Sequence, residues 1–218
     1  MTIDMRNNVL LVSLDDGRAN VVGHNLIDEV TEALNRAQSE AQAVVIAGRD
    51  GIFSAGFDLD EIQKGPDNAK RLVDRGAEMF VTMYSHPQPL LAACTGHAIA
   101  AGAFMLLSCD TRVGALGNYK LGLNETAIGM TFPVFGHELA LERLSKRHLT
   151  SALVQSHIYD PKGAVDAGFL DEAVDHEDVV DHTIALASEL GELPTDAYAK
   201  NKLDIRAGAI QRIKASLS

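Results

Sequence analysis

The chain has 218 residues, of which 46% are hydrophobic and 22% are charged, so it can bury a sizeable core without disulfides or a structural metal. Its 30 acidic and 19 basic side chains give a formal net charge of −11, which argues against nucleic acid and anionic membrane surfaces as partners. The sequence has no apolar stretch of about 18 residues, no signal sequence and no disulfide pattern, and it is therefore predicted to be cytoplasmic and not to span a membrane.

The first part of the chain alternates short apolar runs with helical spacing. Apolar runs that end in Gly-containing turns predict buried strands, and apolar side chains that recur every three or four residues predict helices. In chain order this gives a strand over residues 9–14, a helix over 25–36, a strand over 43–47, a loop over 53–59, and a helix over 67–84 that ends before two prolines.

The remainder opens with an almost wholly apolar stretch of small residues, 90–109. Gly96 and Gly102 interrupt it, which predicts a strand, a glycine-containing turn and a buried helix over 100–108. Next come a strand over 111–115, an irregular loop over 119–133, and helices over 138–144, 148–155, 161–167, 179–190 and 196–213. The pattern predicts an α/β core with trailing helices over 1–190 and a short helical segment over 191–218.

The first candidate for a functional site is FSAGFDL at residues 53–59, which follows a predicted strand and precedes a helix. Such a turn leaves backbone N–H groups free of strand pairing and available to an anionic oxygen. An ordinary strand-to-helix loop explains the same residues equally simply.

The second candidate is GHAIAAGA at residues 96–103, which is predicted to open a buried helix. A helix N-terminus carries unpaired N–H donors and a partial positive charge, both suited to a developing enolate. The alternative is close packing, in which small side chains let two backbones approach.

The third candidate is Glu125, which lies between apolar neighbours in YKLGLNETAIGM at residues 119–130. Desolvation of an isolated carboxylate raises its pKa toward the range in which it can accept and return a proton near neutral pH. The alternative is a glutamate at the edge of a loop, exposed to water. An acidic and histidine-rich run at 175–182 is predicted to cap a helix, and no metal site is expected there.

In this order and at these separations, FSAGFDLDEI, TGHAIAAGAFMLLSCD and YKLGLNETAIGM resemble the motifs of the crotonase (enoyl-CoA hydratase/isomerase) superfamily. Within it they are most similar to the Δ3,Δ2-enoyl-CoA isomerases. The resemblance implies a spiral of β-β-α units with a C-terminal helical extension. It also implies an acyl-CoA thioester as substrate, no further cofactor or metal, and a homotrimer or a dimer of trimers.

Site residues are transferred from the family by motif position. The resemblance implies that Glu125 is the catalytic carboxylate and that the backbone N–H groups of Phe57 and Ala101 bind the thioester oxygen. The implied substrate-binding residues are Ala19, Ala55, Gly56, Asp58, Leu59, Gly102 and Phe104.

Phe104 occupies the position that hydratases fill with their first glutamate. Hydration needs two groups, one to activate water and one to deliver a proton, whereas a 1,3 proton shift can run on one base. The sequence therefore favours an isomerase that converts 3-enoyl-CoA to trans-2-enoyl-CoA. A 2-enoyl-CoA hydratase and a non-catalytic acyl-CoA-binding homologue are the alternatives. The chain is also expected to end earlier than its relatives and, lacking a transit peptide, to resemble bacterial cytoplasmic members.

Overall fold

The computed structural model describes residues 1–217, which contain nine strands in two sheets. The strands are β1 (Thr2–Arg6), β2 (Val9–Ser13), β3 (Ala43–Ala47), β4 (Gly51–Ser54), β5 (Leu90–Cys94), β6 (Gly96–Ile99), β7 (Thr111–Ala115), β8 (Leu121–Gly122) and β9 (Glu172–Val174). The larger sheet has the order β1-β2-β3-β5-β7-β9, and the smaller has the order β4-β6-β8. Every pairing is parallel except that of β1 with β2.

Eight α-helices surround these sheets in the part of the chain that the structure describes. They are α1 (His24–Glu40), α2 (Leu59–Ile62), α3 (Pro66–Tyr84), α4 (Ala101–Ser108), α5 (Val134–Arg143), α6 (Pro161–Ala167), α7 (Val179–Gly191) and α8 (Thr195–Ala215). The predicted α/β class with helices at the C-terminal end is confirmed.

From β3 onward the chain alternates between the two sheets. A strand of the larger sheet is followed by a strand of the smaller sheet and then by a helix, first as β3-β4-α3 and again as β5-β6-α4. Parallel strands require such crossover connections. Because β4, β6 and β8 are parallel neighbours, the loops that follow them meet at one edge of the smaller sheet.

The central strands β3 and β5 of the larger sheet are buried on both faces, which explains their unbroken apolar runs. Val44 and Ile46 point into the main core, whereas Val45 and Ala47 point into a second cluster on the opposite face. Helix α7 covers that second face by packing against β3 and β5. The larger sheet is therefore packed on both of its faces, and the loops that leave the smaller sheet are built on this core.

Helix α8 is joined to the main core by apolar and ionic contacts. Ile210 and Ile213 belong to the main core, and Lys202 and Arg206 are 6% and 5% exposed. Both cations contact Asp110, with Arg206 Nη1 2.9 Å from Asp110 Oδ1. Burial raises the pKa of Asp110, but the two cations more than offset this and hold it below its ordinary value. The predicted segment 191–218 thus contains one long helix, and Ser218 lies outside the described residues.

Several short strands were absent from the sequence prediction. Phe53 and Ser54, expected in a loop, end β4, while the expected glycine turn after residue 95 is β6 and the expected loop over 119–133 contains β8. Strands β1 and β9 were also missed. Their side chains are exposed or half-buried, so they lack the apolar run that identifies a buried strand.

The helix predicted over 148–155 is a π-helical turn over Thr150–Val154. Its wider winding is visible where the Gln155 N–H donates to the Thr150 carbonyl oxygen at 3.1 Å. Apolar spacing alone does not separate this geometry from an α-helix. No helix within residues 1–217 is both long and apolar enough to cross a bilayer.

Candidate active site

The turns that follow β4 and β6 lie against each other because the two strands are parallel neighbours. A Cβ built on Gly56 would lie 3.1 Å from the Cβ of Ala100 and 3.6 Å from the backbone nitrogen of Ala101. Gly56 also has φ +108°, an angle that residues with a side chain rarely adopt. Glycine at this position therefore allows the first two sequence motifs to meet.

The backbone N–H of Phe57 is left free by the pairing of its turn with the loop before α1. Val22 and Phe57 form a parallel bridge in which the Val22 N–H donates to the Gly56 oxygen at 2.8 Å and the Asp58 N–H donates to the Val22 oxygen at 3.2 Å. In this pattern the N–H of Phe57 points away from Val22. It has no backbone acceptor within residues 1–217.

Ala101 is the first residue of α4, so its N–H has no partner inside the helix. The preceding residue, Ala100, adopts φ +52° and ψ −120°, and its own N–H donates to the Gly122 oxygen at 3.0 Å. The strained backbone angle therefore lies at Ala100, while Ala101 keeps helical geometry. As a result, an unpaired N–H at the positive end of α4 lies beside the Gly56 turn.

Glu125 follows β8, at the same edge of the smaller sheet. Its side chain is 7% exposed, and Oε2 has no hydrogen-bond partner within residues 1–217. Burial raises the pKa of Glu125 to about 7, although the backbone N–H groups of Glu125 and Asn124 partly oppose this rise. A carboxylate with such a pKa can both accept and return a proton near neutral pH.

A cavity of about 410 Å³ is lined by Phe57, Ala100 and Glu125 among others. Its lining is apolar apart from Asn124, Thr131 and Glu125, and among the described residues 1–217 Glu125 is the one titratable side chain in it. The remaining lining residues are Ala55, Phe57, Leu59, Ile62, Val73, Ala100, Phe104, Ile128, Met130, Phe132, Pro133 and Phe135.

Phe104 forms a fixed part of the cavity wall. It is 1% exposed, and its ring centroid lies 6.1 Å from that of Phe80, 6.3 Å from that of Phe132 and 5.2 Å from that of Phe135. A Cβ built on Gly136 of α5 would lie 2.9 Å from Phe104 Cζ. The ring is thus held on several sides and presents apolar surface to the cavity.

The structure brings most of the predicted site residues together. Ala55, Phe57, Leu59, Phe104 and Glu125 line the cavity. Gly56 and Ala101 are not part of the lining, but their chain neighbours Ala55, Phe57 and Ala100 are.

Three further predicted substrate-binding residues also lie outside the cavity lining. A Cβ built on Gly102 would lie 2.3 Å from the Ser54 oxygen, so this glycine serves close packing of α4 on β4. The Asp58 side chain accepts a hydrogen bond from the Asp60 N–H and caps α2. The Ala19 carbonyl oxygen accepts one from the Ala55 N–H at 3.0 Å, which fixes the start of the Phe57 turn.

Sequence reasoning did not assign a role to several cavity residues. Val73 of α3 and Phe135 of α5 line the cavity but lie outside the three motifs, and the sequence patterns gave neither residue a role. Asn124 precedes Glu125, and its Oδ1 is buried without a hydrogen-bond partner within residues 1–217. Its position next to the candidate carboxylate Glu125 is the feature of the sequence that could have identified Asn124 as a site residue.

Comparison with known proteins places this chain in a family. A family model described as enoyl-CoA hydratase/isomerase matches residues 4–217. A probable enoyl-CoA hydratase of Bacillus subtilis is 28% identical over 84% of this chain and 73% of its own length. The human mitochondrial enoyl-CoA delta isomerase 1 is 26% identical over 84% of this chain and 61% of its own length, so the match spans less than two thirds of that protein.

Among solved structures, the crystal structure of an enoyl-CoA hydratase/isomerase family protein from Pseudomonas syringae is similar with a TM-score of 0.96. The two are 36% identical, and the match covers 99% of this chain and 94% of that one. The expected crotonase-type fold is thereby confirmed. On the match of the family model over residues 4–217, the chain belongs to the enoyl-CoA hydratase/isomerase family of enzymes.

Proposed function

We propose that this enzyme moves the double bond of a 3-enoyl-CoA thioester to give the trans-2-enoyl-CoA. The observation that carries the proposal is that, in the part of the chain that the structure describes, Glu125 is the one titratable side chain in a cavity otherwise lined mainly by apolar groups. A 1,3 proton shift needs one base that can also act as an acid, and the burial that raises the pKa of Glu125 to about 7 suits both roles.

In the first step the ionised Glu125 accepts a proton from C2 of the substrate. The electron pair of the broken C–H bond forms the C1–C2 double bond of a dienolate, and the negative charge develops on the thioester oxygen. The unpaired N–H groups of Phe57 and Ala101 donate to that oxygen. Each such donor typically contributes a factor of about 100 to 1,000 to the rate.

In the second step the protonated Glu125 returns the proton to C4. The C3–C4 double bond becomes single, the C2–C3 double bond forms, and the thioester carbonyl is restored. Glu125 ends ionised, so no other acid or base is consumed. The Phe104 wall excludes water that would otherwise compete for the dienolate.

The alternative is a 2-enoyl-CoA hydratase, which the name of the Bacillus subtilis relative supports. Hydration requires a water molecule activated by one group while another delivers the proton. With Phe104 in place of a carboxylate, the cavity has only Glu125 for both tasks. We therefore favour the isomerase.

The experiment is an assay of 3-hexenoyl-CoA and crotonyl-CoA side by side. We expect wild type to convert 3-hexenoyl-CoA and to hydrate crotonyl-CoA only at background rate, and we expect Glu125→Gln to lose conversion while still binding acyl-CoA in calorimetry. Rapid hydration of crotonyl-CoA would favour the hydratase. Tight binding without any absorbance change would favour a non-catalytic acyl-CoA-binding protein.

We also propose that the enzyme is a homotrimer or a dimer of trimers. Support comes from an apolar groove of about 520 Å³ between the end of α7 and helix α8, with Ile205 77% exposed and Leu193 47% exposed beside it. Light scattering should give three or six times the chain mass of 23.4 kDa. A mass of one chain at micromolar concentration would contradict this.

A further inference from the structure

Residues 150–159, here called the support segment, contact the chain on both sides of Glu125. The residues between these contacts, 121–127, are here called the Glu125 loop. Before Glu125, Leu121 and Tyr159 exchange two backbone hydrogen bonds of 2.9 Å each. After Glu125, the Thr126 hydroxyl donates to the Leu153 carbonyl oxygen at 2.9 Å, and the Ala127 N–H donates to Ser156 Oγ at 3.0 Å. Four hydrogen bonds therefore bracket the one carboxylate of the cavity.

The support segment has an irregular backbone where it meets this loop. It begins with the π-helical turn, a geometry that is often found at functional sites. Leu153 lies in the last turn of that helix, where carbonyl groups lack intrahelical partners, and Thr126 supplies the missing donor. Ser156 has φ +51°, which is unfavourable for a residue with a side chain and persists only where surrounding contacts fix it.

The support segment is itself anchored in the core. Ala152 is fully buried and Tyr159 is 5% exposed. The Ser151 hydroxyl and the Tyr159 hydroxyl are 2.9 Å apart, and the Tyr159 ring packs against Phe169 with ring centroids 5.6 Å apart. The hydroxyl of Ser156 and the carbonyl of Leu153 are thus held by the core and contact the exposed residues that follow Glu125.

We propose that Thr126 and Ser156 are positioning residues, whose hydroxyl groups hold the Glu125 loop on the support segment so that the carboxylate stays in the cavity. This inference rests on the proposed role of Glu125 as the proton carrier. It goes beyond that role because neither residue lines the cavity or touches the reacting atoms. If these bonds are lost, water reaches the carboxylate, and the burial that raises its pKa is reduced.

The test compares Thr126→Val and Ser156→Ala with wild type. Each variant removes one hydroxyl, and Ser156→Ala keeps the Cβ that the φ +51° backbone already accommodates. We expect kcat with 3-hexenoyl-CoA to fall about ten- to a hundredfold, as for a catalytic group displaced by about 1 Å, while KM changes less than about twofold. Thr126→Ser keeps the hydroxyl and should restore kcat.

Matched controls remove hydroxyl groups of the same kind elsewhere. Thr82 donates to the Glu78 carbonyl oxygen within α3, and Ser39 donates to the Arg36 carbonyl oxygen within α1. Thr82→Val and Ser39→Ala should keep the wild-type kcat. Unchanged kcat in both Thr126→Val and Ser156→Ala would overturn the proposal.

A second readout does not depend on turnover. The pKa of Glu125 can be followed by carbon NMR of protein labelled at the glutamate carboxyl groups, with the Glu125 signal identified by its loss in Glu125→Gln. We expect this pKa to fall in both positioning variants and to stay near the wild-type value in the two controls. A lowered pKa in a protein that proves not to isomerise 3-enoyl-CoA would retain the positioning role and reject the reaction, whereas an unchanged pKa would reject the positioning role.

Discussion

A side chain on Gly56 would reach to 3.6 Å from the backbone nitrogen of Ala101, although the two residues are 45 positions apart in the chain. Gly56 precedes Phe57, so this proximity places the turn that carries the Phe57 N–H beside the first residue of α4, whose N–H has no partner in the helix. In the proposed mechanism the thioester oxygen accepts from both N–H groups as it develops negative charge.

Gly56→Ala should therefore separate these two donors. The new Cβ would lie 3.1 Å from Ala100 Cβ and 3.3 Å from the Ile99 oxygen, and the backbone would keep a costly φ of +108°. We expect kcat with 3-hexenoyl-CoA to fall about 100- to 1,000-fold, as for the loss of one donor. Gly17→Ala is the control, since Gly17 has φ +72° but no atom within 4 Å of the added Cβ. Full turnover by Gly56→Ala would show that the close approach of the two turns is dispensable.

The pH dependence of catalysis should follow Glu125. The carboxylate must be ionised to accept the C2 proton, so kcat/KM should rise as the pH increases through about 7 and then level off. Within residues 1–217 the cavity lining holds no other titratable group that would make kcat/KM rise in this pH range. A rate profile that stays flat between pH 5 and 8 would contradict the assignment.

The stability of the enzyme should also depend on Glu125. Its pKa is raised by folding, from 4.5 to about 7, so the folded state binds more protons than the unfolded state between these values and stability falls as the pH rises through this window. At high pH the buried, ionised carboxylate lowers the free energy of unfolding by about 3 kcal/mol. Glu125→Gln removes this loss, so urea denaturation should show a larger increase in the free energy of unfolding of the variant over wild type at pH 8 than at pH 5. An equal difference at both pH values would argue against a desolvated carboxylate.

Phe104 should limit the size of the acyl group. Phe104→Leu shortens a side chain that is packed against three other phenylalanines, so we expect a loss of about 1–3 kcal/mol in stability together with a wider cavity. The ratio of kcat/KM for a twelve-carbon over a six-carbon 3-enoyl-CoA should increase. Phe169→Leu is the control, because Phe169 is equally buried but does not line the cavity. The same ratio in both variants would show that Phe104 does not set chain length.

Asp110 should be essential for the attachment of α8. Asp110→Asn leaves Lys202 and Arg206 as buried cations without their carboxylate, and the loss of one partner from a buried ionic cluster typically costs about 3–5 kcal/mol. Hydrogen exchange in α8 should accelerate. Asp204→Asn, which breaks the exposed Lys200–Asp204 pair of the same helix, should cost less than about 0.5 kcal/mol. Similar unfolding free energies for the two variants would contradict the anchoring role.

Much of this molecule follows from local pattern. Apolar runs located β3, β5 and β7, and helical spacing located α1, α3 and α7. In such segments the spacing of the apolar residues itself indicates which side chains are buried. The three motifs, through their family resemblance, also pointed to Phe57, Ala101 and Glu125. These features depend on residues that are close together in the sequence.

The tertiary structure decided how these segments meet. Alternation between two sheets places the loops after β4, β6 and β8 at one edge, and the two-residue strand β8 is too short to be recognised without its partner β6. The pairing of Thr126 with Leu153 and of Asp110 with Lys202 likewise joins segments far apart in the chain. Composition and periodicity describe what each segment buries. Which groups become neighbours depends on long-range packing, and in this enzyme that packing buries Glu125 and raises its pKa to about 7, the value that suits the proposed proton transfer.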